Sequence, residues 1–248
     1  MTYASDPTRS RMIRLHVEAS LVRDTKIAVA KDAAQYLFAV MRKKTGDPLL
    51  IFNNQDGEWR ATILGGSKRS AVLHVHEPTR PSAAPPDLEL LFAPIKKVGT
   101  DFIVAKATEM GCRAIRPVIT NFTNAERVNV ARLQANCVEA AEQCGLVFTP
   151  RVYEPCSFWA IFDRWHANRR VFFCDEAGGD KLLSGVATPE PAAILIGPEG
   201  GFSSEERAFL RRQSFISAVS LGPRILRADT AAVAALALWQ SSVGDWQS

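Results

Sequence analysis

The chain has no paired-cysteine pattern, no long apolar run and no strong excess of either charge. Its five cysteines, Cys112, Cys137, Cys144, Cys156 and Cys174, are odd in number and none stands in C-x-x-C spacing. That argues against a disulfide framework and a zinc ribbon, and it fits a reducing compartment. No stretch has the length and flanks of a membrane span. The opening MTYASDPTRSRMIR carries no apolar h-region, so no secretory signal is expected and a cytoplasmic location is. The net charge of +4 permits an anionic partner without demanding one. Phosphate-binding fingerprints are missing too. No Gly-Lys-Ser/Thr follows the glycine-rich segment, and Gly197, Gly200 and Gly201 do not fit G-x-G-x-x-G. That counts against a nucleotide-dependent α/β enzyme. There is no internal repeat and no low-complexity tract. His74 and His76 alternate and so share a strand face, but no third ligand has suitable spacing, and no metal is expected.

What remains is an ordinary globular composition, 47% hydrophobic and 23% charged over 248 residues, enough for one large or two modest domains. Glu77–Asp87, EPTRPSAAPPD, holds four prolines and reads as a semi-rigid linker that no strand or helix continues through. It separates a domain at 1–77 from one at 88–248, with 78–87 between them. Before it lie short β-like runs, Ile13–Val17, Lys26–Val29, Leu49–Asn53, Glu58–Ile63 and Ala71–His76. One helix is expected at Lys31–Met41 and a hairpin turn at Asn54–Gly57. This is the pattern of a small β-barrel. After the linker, strands (Leu88–Ala93, Ala114–Thr120, Val171–Cys174, Ala192–Ile196, Val219–Leu221) alternate with helices (Thr100–Met110, Glu126–Gln143). Alternation of that kind predicts an α/β fold with a parallel, doubly wound sheet.

Two segments are the most informative. ILIGPEGGFSSEE, Ile194–Glu206, is an apolar run that breaks into a glycine loop. Ser203 and Glu206 then form the S-x-x-E capping box of a new helix. LGPRILRADTA, Leu221–Ala231, repeats the logic: a strand end, a Gly222-Pro223 turn, and Asp229 or Thr230 as the cap of a long apolar helix. That helix, Ala231–Val243, is apolar on nearly all sides and must be buried. Loops at the carboxyl ends of parallel strands are where α/β proteins bind ligands.

The paired loops resemble the C-terminal signature of the SPOUT superfamily of knotted methyltransferases, and in particular the RsmE family. The resemblance runs from Arg11 to about Trp239. Val40-Met41-Arg42 with Gly46-Asp47 matches the family. So does Lys106–Gly111 (K-x-T-E-L-G in the family), with Gly111 as the helix-ending glycine and Glu109 paired within the fold. Glu139–Gln143 matches a helix that the family ends in E-Q-S-x-R. Here it continues Cys144-Gly145-Leu146, without the arginine. Cys137 and Cys144, seven apart on that helix, read as packed small residues on one face.

The resemblance implies a SPOUT-like parallel sheet with a C-terminal trefoil knot, preceded by a PUA-like RNA-binding β-barrel. It implies S-adenosyl-L-methionine as cofactor and N3 of a uridine in 16S ribosomal RNA as acceptor. The partners would be that RNA or the assembled small ribosomal subunit, and a second copy in a homodimer. Cofactor contacts are expected from Ile196, Gly197, Pro198, Glu199, Gly200, Leu221, Gly222, Ile225 and Leu226, mostly through main chain. Attack by N3 requires its proton to leave and charge on O2/O4 to be stabilised. Arg227 is the first candidate for that and Arg224 the second, with Glu199 or Asp229 orienting the arginine or relaying a proton. RNA contacts are expected from Arg11, Arg14, Arg42, Lys43, Lys96 and Lys97. Tyr36 and Phe38 lie nearby, one able to stack a base and the other read as core. The rival reading is a non-catalytic RNA-binding or ribosome-assembly protein.

Overall fold

The structure is a computed structural model that describes residues 12–124, 127–176, 178–179, 181–189 and 191–247. Arg11 and Glu126 lie outside the described residues. The chain divides into two compact units, Met1–Ala84 with Ala141–Thr149, and Pro85–Ala140 with Pro150–Ser248.

In the first unit β1 (Arg14–His16), β2 (Lys26–Val29), β3 (Pro48–Asn53), β4 (Gly57–Ser67) and β5 (Ser70–Arg80) form a sheet of order β1-β3-β4-β5-β2. Only β1–β3 is parallel; β3–β4, β4–β5 and β2–β5 are antiparallel. Period-two alternation turns Leu49 and Ile51, Ala61 and Ile63, and Leu73 and Val75 into one core with Ala34 and Leu37. The hairpin turn forms because Asn53 Oδ1 accepts the N–H groups of Gln55 (3.0 Å) and Asp56 (2.6 Å), an Asx turn.

Two expectations fail here. The helix is α-helical only over α1 (Lys31–Gln35) and winds on as a π-helix through Tyr36–Val40. The Met41 N–H reaches back to the Tyr36 carbonyl at 2.9 Å. Strand β5 also runs through Pro78 to Arg80, into the stretch expected to be linker. Proline is tolerated on the β2 side because β2 pairs only Ala71–His74, while on the β4 side Pro78 stands opposite Trp59. Pro78 also falls where the β4–β5 register shifts.

The second unit is built on β6 (Leu88–Phe92), β7 (Ala114–Ile119), β8 (Arg151–Val152), β9 (Cys156–Ser157), β10 (Arg170–Cys174), β11 (Lys181–Leu182), β12 (Ala192–Ile196) and β13 (Ile216–Ser220). Its sheet runs β11-β13-β10-β12-β6-β7-β8, with β9 on β7, and every pairing is parallel. Successive side chains of β12 enter opposite cores. Ala192, Ile194 and Ile196 meet one set of residues, Ala193 and Leu195 another, and all five are buried. An unalternating apolar strand is the mark of a sheet covered on both faces. One face is packed by α2 (Lys97–Glu109), α3 (Val130–Cys144) and α6 (Ala228–Val243), through Ile103, Leu133 and Trp239 among others. The other is packed by α4 (Phe158–Asp163) and α5 (Ser204–Arg212), through Phe158, Phe162 and Leu210. Helix α2 ends at Gly111, φ +73°, whose N–H returns to the Thr108 carbonyl at 2.9 Å.

The Ser203–Glu206 capping box is present in full. The cap of α6 is not as expected. The N-cap is Arg227, with no side-chain bond, and Asp229 lies in the first turn. Its Oδ1 instead accepts from the Thr230 N–H at 2.7 Å. Strands β8, β9 and β11 were not expected, because two residues carry no periodicity.

Candidate active site

Strands β13, β10, β12 and β6 are consecutive in the sheet, so their carboxyl ends form one rim. Three loops leave it from β10, β12 and β13 and enclose a cavity of about 650 Å³, a size suited to a small-molecule ligand. The second and third loops are those of the two sequence motifs. Ile196, Gly197, Pro198, Glu199, Leu221, Gly222, Arg224, Ile225, Leu226 and Arg227 all line the cavity. Gly200 does not. A Cβ there would stand 3.3 Å from Phe122 Cβ, on the side of the β7 loop. Gly201 takes its place in the lining. It has φ +70°, and a Cβ would lie 2.0 Å from Glu176 Oε1, so only glycine lets the carboxylate and the loop approach this closely. Gly222 needs glycine for conformation alone, with φ +121° and nothing within 4 Å of a Cβ.

The first of these loops was missed by sequence reasoning. Cys174, Asp175, Glu176 and Gly178 line the cavity. The available signal was acidic residues and a glycine pair directly after a parallel strand, in a position equivalent to the two recognised loops. The Asp175 side chain has no exposed surface and is held by Arg211 at 2.6 Å and Arg207 at 3.5 Å. Arg207 also pairs with Glu176 at 2.7 Å. Helix α5 therefore fixes this loop with two arginines. Glu206 does the same for the glycine loop. One carboxylate oxygen accepts the Ser203 N–H and the other the Asn121 N–H, both at 2.8 Å. The rim is thus pre-formed by charge-assisted bonds.

Arg224 and Arg227 contrast with that network. Both are exposed, and neither has a side-chain hydrogen bond or ion pair among the described residues. Glu199 is exposed on the same wall. The cavity can therefore hold a ligand against apolar Ile196, Leu221, Leu226 and Ala231, with backbone polar groups beside it and two uncommitted guanidinium groups at its edge. S-adenosyl-L-methionine matches this chemistry. Its adenine suits the apolar and main-chain wall, and its cationic sulfonium suits the carboxylate of Glu199 on that wall.

The expected RNA contacts divide. Arg11 lies outside the described residues. Arg14 is corrected: it is 4% exposed and its guanidinium serves the fold. Nε donates to Glu58 at 2.9 Å, one terminal nitrogen to the Ala141 carbonyl at 2.6 Å, and the other to the Leu146 carbonyl at 2.8 Å. Arg80 binds the same Glu58 at 2.5 Å. Burial pushes the Glu58 carboxyl up, but hydrogen bonds from Arg80 and Arg14 outweigh it and hold the group below its ordinary range. Arg14 thereby caps the carbonyls at the end of α3. Arg42 is exposed beyond the π-helix, with φ +52°, and Lys43 is half-buried. Tyr36 and Phe38 both pack against the barrel core. In the second unit Lys96 and Lys97 are exposed at the start of α2, directly after the rim end of β6. A cation at a helix N-terminus opposes the macrodipole, so helix stability does not account for them.

Other residues read from the sequence fall in place structurally. Glu109 pairs with Lys106 at 2.8 Å. Cys137 is buried but Cys144 is exposed, so the two do not share one packed face. Burial pushes the Cys137 thiol up to about 11 and Cys174 up to about 12, which favours the protonated thiol in both. The His74 and His76 rings meet edge to face at 4.5 Å. Among the described residues no three His, Cys, Asp or Glu side chains are grouped to hold a metal, and no helix is long and apolar enough to cross a membrane.

Comparison with known proteins agrees with this geometry. Residues 82–240 match the family described as RNA methyltransferase domain, and residues 29–75 match the RNA methyltransferase PUA domain. The ribosomal RNA small subunit methyltransferase E of Rickettsia conorii is 29% identical over 229 residues, covering 90% of this chain and 93% of that protein. The protein of the same name from Synechocystis is 28% identical, over 90% of this chain and 76% of that one. Among solved structures, a Legionella pneumophila methyltransferase with bound S-adenosylmethionine superposes with a TM-score of 0.87 at 26% identity, over 95% of this chain and 99% of the other. The Neisseria gonorrhoeae ribosomal RNA small subunit methyltransferase E shares the fold, with a TM-score of 0.86 at 23% identity over 95% and 99%.

Proposed function

The chain belongs to the RNA methyltransferase family, and from that premise we propose that it methylates 16S ribosomal RNA of the small subunit at N3 of a uridine, with S-adenosyl-L-methionine as donor. The observation that carries this reading is the cavity at the carboxyl rim, with two glycine-shaped loops on its wall and Arg224 and Arg227 uncommitted at its edge. The donor supplies a methyl group already activated by the sulfonium. The chain's own work is alignment, water exclusion and charge stabilisation. The loops after β12 and β13 hold the donor mainly through main-chain groups. Arg227, fixed in backbone at the N-cap of α6, faces the acceptor. As the N3 proton leaves, its guanidinium takes up the negative charge on O2/O4. Arg224 is the second cation for this role, and Glu199 is the carboxylate on hand to relay the proton.

Arg42 and Lys43 in the first unit, and separately Lys96 and Lys97 in the second, are proposed RNA contacts. A second copy of the chain is proposed to complete the enzyme. Helix α6 buries one stripe in its own core and leaves Val233, Ala237 and Leu238 only half-covered, while Val98 and Phe102 of the adjoining α2 are 82% and 43% exposed. We place the protein in the cytoplasm, where its substrate is.

The test is transfer of labelled methyl from S-adenosylmethionine to naked 16S RNA and to assembled small subunits, followed by mapping of the modified nucleoside. Methylated N3 of a uridine on either substrate is expected. Cofactor binding without transfer to any RNA would move the protein to the non-catalytic class. Label on a ribose or another base atom would replace the acceptor.

A further inference from the structure

A second cavity, of about 580 Å³, lies in the second unit away from the rim. Glu89 is the second residue of β6, Arg116 the third of β7 and Arg151 the first of β8. In a parallel sheet these mark the amino-terminal end, opposite the glycine loops. Helix α4 and the turn after it close the cavity with Ile161, Arg164 and Trp165.

Its lining carries four arginines against two glutamates. Two arginines are consumed locally. Arg116 bonds to Glu89 at 2.6 Å, and Arg169 bonds to Asp87 at 2.8 Å and stands 3.6 Å from Glu89. Arg151 and Arg164 pair with no carboxylate among the described residues. Glu154, the other lining glutamate, is exposed and has no ion pair with either. Arg164 ends α4, where a cation suits the helix dipole, but that role leaves its guanidinium hydrogens unused. Arg151 packs 4.6 Å from the centroid of the Tyr153 ring, which Arg116 also covers at 3.6 Å. The Trp165 indole N–H donates to the Arg169 carbonyl at 3.0 Å, so this ring is fixed as part of the wall. Val152 and Ile161, both buried, line the cavity as well.

A concave site with surplus guanidinium charge concentrates anions, and a guanidinium fork matches phosphate with two parallel bonds. Aromatic and aliphatic walls at the same place suit a flat base. The volume falls within the range of small-molecule sites. We propose that this cavity binds a nucleotide unit, its phosphate on Arg151 and Arg164 and its base against the wall of Trp165 and Ile161. The unit comes either from a free mononucleotide or from an RNA strand held at a point distant from the methyl-transfer cavity. The second source rests on the proposed action on ribosomal RNA; the first does not.

Calorimetry on the full chain tests this with uridine 5′-monophosphate, uridine, inorganic phosphate and a short oligouridylate. The monophosphate is expected to bind more tightly than uridine or phosphate, and equally well with S-adenosylmethionine saturating. Arg151→Ala/Arg164→Ala should weaken it at least about 10-fold, one decade of affinity, with the affinity for S-adenosylmethionine unchanged as the control for folding. An oligouridylate that binds more tightly than the monophosphate, and loses that in the double variant, assigns the site to an RNA strand. Equal affinity assigns it to the free mononucleotide. The proposal is overturned if the double variant binds the monophosphate as wild type does, if S-adenosylmethionine displaces it, or if phosphate alone binds as tightly. Loss of methyl transfer with these affinities intact would count against the proposed function and leave this site standing.

Discussion

Arginines meet carboxylates in two regions of this molecule, with opposite results. In the barrel unit Arg14, Glu58 and Arg80 close on one another and on the end of α3, and the Arg14 and Glu58 side chains are 2% and 1% exposed. At the carboxyl rim Asp175 and Glu176 take up Arg207 and Arg211, and Arg224 and Arg227 are left with none. The residue type and the local acidity are alike. What separates a structural arginine from a candidate catalytic one is whether a carboxylate consumes its charge. The comparison breaks if substitutions in the two regions fail to sort into stability effects and turnover effects.

The largest effect is expected in the barrel. Arg14→Ala takes the Nε donor away from buried Glu58 and strips the caps from the Ala141 and Leu146 carbonyls. Breaking a buried pair in this way costs about 3–5 kcal/mol, to be read as a fall in the urea midpoint at unchanged slope. If Arg14→Ala unfolds like wild type but binds RNA poorly, the surface reading of this residue returns.

Arg227→Ala should do the reverse. Its side chain is exposed and makes no cap bond, so stability and cofactor affinity should hold. Single-turnover methyl transfer should fall about 10²–10³-fold, the scale of losing one such donor. Arg227→Lys should recover part, since a point charge lacks the planar fork. Full activity in Arg227→Ala would transfer the role to Arg224. Lost cofactor binding would make Arg227 part of the loop's structure.

A smaller difference separates neighbouring glycines. Gly201→Ala must displace Glu176 at a positive φ, a strain of about 1–3 kcal/mol, and should weaken S-adenosylmethionine binding by about 10-fold or more. Gly200→Ala meets only Phe122 at 3.3 Å and should change affinity little. Equal effects at both positions would mean that the loop, rather than the cavity wall, governs binding.

Much of this was legible in the chain. The unalternating run Ala192–Ile196 announced a strand covered on both faces, and Ser203 with Glu206 announced the helix start, because local periodicity and capping act within a few residues. The two motif loops were legible as glycine-shaped breaks at strand ends. The fate of Arg14 was not, since its partners Glu58, Ala141 and Leu146 are brought to it only by folding. The loop at Asp175 was missed for the same reason: its acids read as surface residues until α5 supplies two arginines. Asp229 resembled a cap by type, but the chain enters the helix earlier, at Arg227.

The last prediction sharpens the comparison through pH. Burial lowers the His16 pKa from 6.5 against the opposing charge of Glu18, and the Glu58 carboxyl is held below its ordinary value by Arg80 and Arg14. Both groups bind protons more readily when unfolded, so stability rises with pH wherever they titrate. The His16 contribution is complete above about 6.5, the unfolded value, and is lost as pH falls through the lower folded value. The Glu58 contribution is complete above the ordinary carboxylate range and is lost below it. The barrel should therefore weaken in two steps on acidification, the first from about pH 6.5 downward and the second below about pH 4.3. Hydrogen exchange of β1 and β3 amides, corrected for intrinsic rates and compared with β6 and β12, would show the steps. Glu58→Gln should shrink the second, leaving the share of Asp56, whose carboxyl is held low by hydrogen bonds from Asn53 and the Leu21 N–H, and spare the first. If β12 loses protection before β3, the buried cluster is not what makes the barrel acid-sensitive, and the contrast between the two regions loses its electrostatic basis.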